Sequence, residues 1–426
     1  MLDIAIVEGI RTPFAKAFGP LARVPAYELG RLATEAVLQR AGVRPDQVDQ
    51  VVFGNVAVPA EAANVARVIA LIAGIPQDRI AHTVHRNCAS GMEAITTAAQ
   101  LVQLGEAQIV IAGGTESMSQ IPLLYSPTAT GAFLRWARAK GWWQGLKALL
   151  SFRPRHFKPV PALKLGLTDP VSGLMMGETA EVLAQEFSVS REEQDAFALQ
   201  SHRRATAAQQ RCLFADEIVP VSADLAGAEV KQDVGPRPDQ SLEALAKLKP
   251  YFKAGGTVTV GNSCQITDGA ATVLVMPGER ARAEGRTPLG YLRQYAYAGC
   301  DPRRMGLGPV FATSKVLERA GITLKEIDLI ELNEAFAAQV IANERAFASD
   351  QFAREQLGRT AALGAIDGDR LNVNGGAIAL GHPVGATGAR LVITLLRELR
   401  RRGLRRGLAT LCVGGGQGAA LLLETA

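Results

Sequence analysis

Long uncharged apolar runs are missing from these 426 residues, so no membrane-spanning helix is expected. The opening MLDIAIVEGIRTPF has no basic segment ahead of an apolar one, so no secretory leader is expected either. Closely spaced cysteines are also missing. Cys88, Cys212, Cys264, Cys300 and Cys412 form no C-x-x-C, which argues against a zinc ribbon or finger and suits reduced thiols in a cytoplasmic setting. The histidines His82, His85, His156, His202 and His382 contain no H-x-x-x-H pair, so no helical metal site is expected. Net charge is only +5, which does not call for a nucleic-acid partner. With 48% apolar and 20% charged residues the chain reads as a globular enzyme and not as a disordered one. One local absence is sharper. From Ser117 to Thr168 there is no Asp or Glu, yet the stretch carries Arg135, Arg138, Lys140, Lys147, Arg153, Arg155, Lys158 and Lys164 and all three tryptophans.

What is present begins with a repeat. Residues 36–56, AVLQRAGVRPDQVDQVVFGNV, align without a gap on residues 315–335, KVLERAGITLKEIDLIELNEA. Each reads as a helix, an R-A-G stop, a capped turn and an apolar strand, with Gly42 and Gly321 placed as helix C-caps. A looser likeness links two further segments. CASGMEAITTAAQLVQLG, from Cys88, predicts an apolar helix stopped by Gly105 and followed by the strand IVIAGG. GHPVGATGARLVITLLRELRRRG predicts a helix stopped by Gly403 and followed by LATLCVGGG. Apolar helices are buried between layers. The expected fold is therefore α/β, with two similar halves packed together and helices on both faces of each sheet. The expected organisation is a first half over 1–118, an insertion over 119–256, a return to the first half over 257–277 and a second half over 278–426. A capped helix is expected at 190–210 and a loop at 233–239.

Several residues carry chemistry at this stage, each with a plainer alternative. Cys88 sits between a polar turn and the start of a buried helix, where amides and the helix dipole would stabilise a thiolate and lower the thiol pKa. It could equally be a small core cysteine. Cys412, in CVGGGQG, precedes glycines that let a backbone approach a ligand, or it is a strand cysteine before a tight turn. The run is not a dinucleotide site, because too little chain follows for the required helix and strand. His382 stands among glycines in GGAIALGHPVGATGA, as a structural or a catalytic imidazole. Asn333 and Glu334 follow the strand IDLIEL, where Asn is often only a helix cap. Cys212 and Cys300 read as packing or surface thiols.

Taken in order, NCASGMEA, GGTESMS, MGETAE, GNSCQITDGAA, NEAFA, GGAIALGHPVGATGAR and CVGGGQG closely resemble the thiolase family and span nearly the whole chain. The resemblance implies duplicated five-layered α-β-α-β-α halves with an inserted loop domain that covers coenzyme A. It implies Cys88 as the nucleophile that takes the acyl group, His382 as its base, and Cys412 as the acid/base at C2 of acetyl-CoA. Asn333 would hold a water that, with His382, forms one oxyanion hole; the amides of Cys88 and Gly414 would form the other. Met176 matches the family's pantetheine-contacting Met, and Met175 stands where short-chain biosynthetic relatives carry His. Cys264 stands where many relatives carry a Ser that bonds pantetheine, a contact that Ser263 could take over. Lys231 and Arg237 are the only basic candidates for the adenosine phosphates in 225–240.

The implied activity is thiolytic cleavage of 3-ketoacyl-CoA in fatty-acid β-oxidation, with coenzyme A as substrate and no metal or other cofactor. The condensing acetoacetyl-CoA reaction is the near alternative. A ketoacyl synthase would need His or Lys in place of Cys412, and a non-catalytic scaffold would not need the intact Cys–Asn–His–Cys set. The segments PLGYLRQYAY, 130–165 and SDQFAREQLGRTAALGAIDGDRLN resemble β subunits of bacterial trifunctional complexes, whereas Asn333 and the full C-V-G-G-G-x-G resemble mainstream thiolases. The expected partners are CoA thioesters, a second copy in a homodimer or homotetramer, and a hydratase/dehydrogenase α subunit. The basic Trp-rich segment has three readings. It packs on the body of the enzyme, it draws in coenzyme A phosphates, or its 130–160 portion meets a membrane or partner protein. Phe133, Trp136, Trp143, Leu146 and Leu150 recur at spacings that predict an amphipathic helix or hairpin.

Overall fold

The computed structural model describes residues 3–425. Twelve strands are present among them: β1 (Ile4–Arg11), β2 (Ala15–Lys16), β3 (Gln50–Gly54), β4 (Ile80–Val84), β5 (Val110–Ser117), β6 (Leu123–Leu124), β7 (Val160–Pro161), β8 (Thr267–Pro277), β9 (Gly290–Gly299), β10 (Leu329–Leu332), β11 (Arg406–Val413) and β12 (Gln417–Glu424). The main sheet runs β10-β11-β12-β9-β1-β8-β5-β3-β4, with β2 beside β8. The order is symmetric about the β9–β1 junction, where Ile4–Ile6 pair antiparallel with Gly290–Leu292. In the first half β3 lies parallel to both β5 and β4. In the second half β10 lies parallel to β11, and a single parallel bridge from Ile330 to Leu371 occupies the place of β4.

The gap-free repeat appears as two matching units. The helices Ala26–Ala41 and Gly308–Ala320 end at Gly42 (φ 61°) and Gly321 (φ 66°), each followed by a one-turn 3-10 helix and then by β3 or β10. The left-handed caps explain why glycine stands at both stops.

Alternation along the strands separates three cores. In β12, Ala419, Leu421 and Leu423 face one core while Ala420 and Leu422 face another. The middle core joins inner faces of both halves to two buried helices, Ser90–Gln103 and Thr387–Arg402. The outer cores lie under Ala26–Ala41 with Val65–Ile72 on one side and under Gly308–Ala320 on the other. The result is helix, sheet, helix pair, sheet, helix. The two central helices cross at glycine: a Cβ on Gly91 would lie 2.8 Å from the Ala389 nitrogen, and one on Gly388 would lie 2.5 Å from the Met92 nitrogen. This crossing brings together the turns that precede both helices.

Between β5 and β8 the chain leaves the main sheet. It forms the β6–β7 pair and the helices Pro127–Ala137, Trp142–Leu150, Met176–Glu186 and Arg191–Gln210, the last capped by Ser190. The stretch 233–239 is irregular, as its composition implies. Arg11 of β1 ties this region down. Buried ion pairs run from its guanidinium to Glu217 (2.6 Å) and, through both terminal nitrogens, to Asp233 (2.6 and 2.7 Å). The basic segment is a helical hairpin, but its apolar spacing does not form one inward face. Phe133 joins an aromatic cluster with Tyr125, Phe152 and Phe157, while Trp136, Trp143, Leu146 and Leu150 are exposed.

Candidate active site

Cys88 lies in the turn between β4 and the Ser90–Gln103 helix. Asn87 holds a left-handed backbone (φ 42°), and its side-chain amide donates to the Gly414 carbonyl at 2.8 Å. That bond joins the Cys88 turn to the glycine loop after β11. Ser90 Oγ donates to the Asn87 carbonyl and accepts the Arg86 amide, closing the turn from beneath. Arg86 is in turn held by Glu93 at 2.6 Å and stacks over Tyr297. The Gly414 and Cys88 amides point at the sulfur and stabilise its anion, but burial outweighs them and pushes the thiol above its ordinary value. The lowered pKa expected from the helix start is therefore wrong for the resting chain. Desolvation exceeds the two amide contacts, and Glu116 nearby adds in the same direction.

Cys412 is 1% exposed near the end of β11 and packs among Val258, Met305, Ala335 and Phe336. Burial holds its thiol well above the ordinary range, and the neighbouring thiols of Cys88 and Cys264 act in the same direction. Cys264 is half-buried and likewise pushed up, to about 12. Its amide donates to the Ala335 carbonyl at 3.0 Å, which places the GNSCQ turn against NEAFA. Three thiols from distant segments thus share one site. Met176 reaches the same place: its sulfur is 3.2 Å from where a Cβ on Gly414 would stand. Met175 precedes it at the helix N-cap. Asn333 is fully buried, and neither its Oδ1 nor its Nδ2 has a protein partner. It caps no helix, because the following helix begins at Ala337 behind Phe336.

His382 enters through a sharply turned backbone. Gly381 has φ 100°, and a Cβ there would fall 2.3 Å from Thr267 Oγ1. The His382 amide donates to Thr267 Oγ1 at 3.1 Å. Its Nδ1 lies 2.6 Å from Thr387 Oγ1, whose own proton goes to the Pro383 carbonyl. Thr387 therefore accepts, which puts the imidazole proton on Nδ1 and a lone pair on Nε2. That Nε2 is buried without a protein partner. Burial and the Arg390 charge depress the imidazole pKa to about 3, so it is neutral in the resting site and its Nε2 lone pair is unoccupied.

Two buried carboxylates hold these loops. Glu334 accepts from Ser201 Oγ (2.6 Å), Asn372 Nδ2 (2.9 Å) and the Ile378 amide (3.2 Å). Glu116 was not singled out in the sequence, although GGTES places an acid in an otherwise apolar strand. It accepts from Asn55 Nδ2 and the amides of Val56, Ala57 and Gly385, so it fastens β5 to the His382 loop. Burial raises it to about 7 despite these donors.

Other sequence candidates stand differently. Ser263 is buried, and its hydroxyl already donates to the Thr259 carbonyl at 2.6 Å, so it is not a free donor in place of Cys264. Lys231 is exposed and paired with Glu229 at 2.9 Å. Arg237 is exposed, with its amide on His202 Nδ1. Cys300 is half-buried behind the glycine loop, where its amide donates to the Gly416 carbonyl at 2.7 Å; Cys212 is exposed.

Comparison with known proteins gives consistent matches. The thiolase N-terminal domain model matches residues 4–279, and the thiolase C-terminal domain model matches 286–425. A 3-ketoacyl-CoA thiolase of Pectobacterium carotovorum is 43% identical over 424 residues, covering 99% of this chain and 96% of the relative. One from Yersinia enterocolitica matches with the same identity and coverage. Among solved structures, a Bacillus anthracis acetyl-CoA acetyltransferase superposes with TM-score 0.87 at 38% identity, covering 100% of this chain and 99% of that one. Human mitochondrial 3-ketoacyl-CoA thiolase in complex with CoA superposes with TM-score 0.87 at 37% identity, covering 100% of this chain and 98% of that one.

Proposed function

This chain belongs to the thiolase family, and from that premise we propose that it is a degradative acyltransferase, cleaving 3-ketoacyl-CoA with coenzyme A to acetyl-CoA and a shortened acyl-CoA. The observation that carries the mechanism is His382. It is neutral, protonated on Nδ1 by its bond to Thr387, and its Nε2 is free in a buried site shared by three thiols.

In the proposed cycle His382 Nε2 takes the Cys88 proton, and the sulfur attacks the 3-keto carbon. A base is needed because burial keeps this thiol protonated. The Cys88 and Gly414 amides that face the sulfur fit one oxyanion hole, and Asn333 with a water and His382 fits the other. The C2–C3 bond breaks, Cys412 delivers a proton to C2 of the leaving enolate, and the acyl group stays on Cys88. A second coenzyme A then enters; the Cys412 thiolate takes the proton from its sulfur, that sulfur displaces the acyl group from Cys88, and the protonated His382 returns its proton to the leaving Cys88 sulfur, which restores both thiols and the neutral imidazole. No metal or other cofactor enters. The high pKa of Cys412 suits a group that must give up its proton only to a carbanion.

The region 119–256 is proposed to cover coenzyme A, on the support of Met176 reaching Gly414. Lys231 and Arg237 remain its phosphate candidates, and Cys264 rather than Ser263 its pantetheine neighbour. A homodimer or homotetramer is the proposed assembly, supported by the half-exposed edge strand β4, with a hydratase/dehydrogenase α subunit as a further partner. Five free thiols support a reducing, cytoplasmic setting.

The test is a chain-length series of 3-ketoacyl-CoA substrates, following loss of their absorbance on adding coenzyme A. Activity that rises with chain length supports the degradative reading; activity on acetoacetyl-CoA alone assigns the condensing alternative. Cys88→Ala should abolish both thiolysis and the acyl-enzyme. Cys412→Ser should still be acylated by acyl-CoA but lose deuterium exchange at C2 of acetyl-CoA, because a hydroxyl is a far poorer acid/base than a thiol. Normal exchange in that variant would assign the proton to another group.

A further inference from the structure

The central helix Thr387–Arg402 carries a buried polar stripe. Thr387, Arg390 and Thr394 recur at spacings of three and four, so they share one face, and all three are buried. Thr387 holds His382, and Thr394 Oγ1 donates to Glu217. Between them stands Arg390, whose side chain is 0% exposed and whose Nη1 donates to Glu331 Oε2 at 2.8 Å. Its Nε and Nη2 have no protein partner. Arg11, equally buried, is the contrast: all three of its nitrogens are bonded to Glu217 and Asp233, as befits a structural tie. A buried guanidinium with one carboxyl partner is poor support for stability, because two apolar residues of similar volume often hold helix to strand as well or better.

The two elements that the pair joins give it another purpose. Glu331 lies on β10, two residues before Asn333. In this strand Leu329 faces the middle core, while Ile330 and Leu332 face the outer one. Alternation puts Glu331 on the middle side with Leu329. The extended chain continues past the strand, because the Asn333 amide donates to the Thr410 carbonyl at 3.0 Å, so Asn333 faces the middle side as well. The Glu331–Arg390 bond therefore joins the strand end that carries Asn333 to the helix turn that carries Thr387, and Thr387 fixes His382. Asn333 and His382 are the residues of the oxyanion hole that the Cys88 and Gly414 amides do not form, and the free polar atoms of both are buried without a partner. Arg390 is also near enough for its charge to act on the imidazole.

We propose that Glu331 and Arg390 are the positioning pair of the enolate-side oxyanion hole, holding Asn333 and His382 at the separation that one water and one oxyanion require. This role rests on the proposed acyl-transfer reaction. The Cys88 and Gly414 amides face the Cys88 sulfur, so the oxygen of an acyl group on that sulfur falls to them. The enolate oxygen of acetyl-CoA then falls to Asn333 and His382. Loosening the pair should harm enolate formation far more than acylation of Cys88.

Two reactions of the full-length protein separate these steps. The burst of coenzyme A released on mixing with an acyl-CoA reports acylation, and loss of deuterium from C2 of deuterated acetyl-CoA reports the enolate. The double variant Arg390→Met, Glu331→Leu leaves no unpaired buried charge and should keep the wild-type melting temperature. Its exchange rate should fall on the order of 100-fold, as for a small misplacement of a reacting group, while its acylation changes little. Glu331→Gln keeps the length and an acceptor oxygen for Arg390 Nη1, so its exchange should stay near the wild-type rate. Glu331→Asp, one methylene shorter, should show the bias of the double variant in smaller measure, and it decides the matter if the double variant melts early. Equal losses of exchange and acylation would make the pair merely structural and overturn the proposal. Wild-type exchange in both the double variant and Glu331→Asp would overturn it as well, with the acyl-transfer reading intact. A wild-type protein that neither exchanges C2 deuterium nor cleaves 3-ketoacyl-CoA would instead overturn that reading, and the pair's role with it.

Discussion

Thr387 decides what His382 can do. Its hydroxyl is committed to the Pro383 carbonyl, so toward the imidazole it can only accept, and that fixes the tautomer. Thr387→Val removes the acceptor and lets the proton move to Nε2, the atom proposed to take it from Cys88. We expect kcat to fall by about 10- to 100-fold with little change in KM, and Thr387→Ser to restore most of it. Steady-state kinetics check this; an unchanged kcat would show that the tautomer is set by another group. Thr387→Val should also alter the pH profile of kcat, which a merely structural contact would not do. A thiol at a helix start is commonly activated, but here burial raises Cys88, so activation rests on the base.

At the scale of elements, the site depends on how closely two helices approach. Gly91 and Gly388 let the Cys88 helix and the His382 helix touch backbone to backbone. Gly91→Ala would set its Cβ 2.8 Å from the Ala389 nitrogen and 2.9 Å from the Gly385 carbonyl, neither of which is a flexible end. The helices must separate, at a cost of about 3 kcal/mol, and activity should fall with stability. Gly321→Ala is the contrast. Its surroundings are open and only φ 66° is against it, so about 1 kcal/mol should be lost with kcat unchanged. Urea midpoints and kcat measured on both variants separate the two effects. Equal losses would mean that the crossing tolerates a methyl group.

At the scale of the molecule, buried ionisable groups pull stability in opposite directions. His202 is 3% exposed and depressed from 6.5 to about 4, by burial first and by Arg237 second. The neutral folded form therefore contributes stability that is complete above pH 6.5 and lost as pH falls toward 4. The loss is on the order of 2–3 kcal/mol. Burial raises Glu331 to about 8 and Glu344 to about 7. These groups have the opposite sign: their contribution is complete below 4.5 and lost as pH rises through 7–8. Stability should thus peak in the weakly acidic range and decline on both sides. In urea melts from pH 4 to 9, His202→Gln should flatten the acid limb and Glu344→Gln the alkaline limb. A variant whose limb keeps its wild-type slope would remove that group from the account.

The sequence by itself determined the elements and their pairing into two halves. Glycine stops at 42 and 321, alternating strands and two apolar helices are local patterns, and local sterics and periodicity suffice to read them. It also marked Cys88, Asn333, His382 and Cys412, because ordered motifs carried the resemblance to thiolases. What it left open depends on distance through space. The sign of the Cys88 shift is a balance between burial and two amides, one of them supplied from Gly414 far along the chain. Glu116 acts through partners on two separate loops, 55–57 and the one holding Gly385, so no spacing within its own motif announces it. Ser263 and Cys264 are neighbours in sequence, yet one hydroxyl is turned to the Thr259 carbonyl while the adjacent thiol lies near Cys88 and Cys412. For the Trp-rich hairpin, the spacing showed an amphipathic segment, but only the packing of Gly145 and Ala148 inward decided that its apolar side faces out.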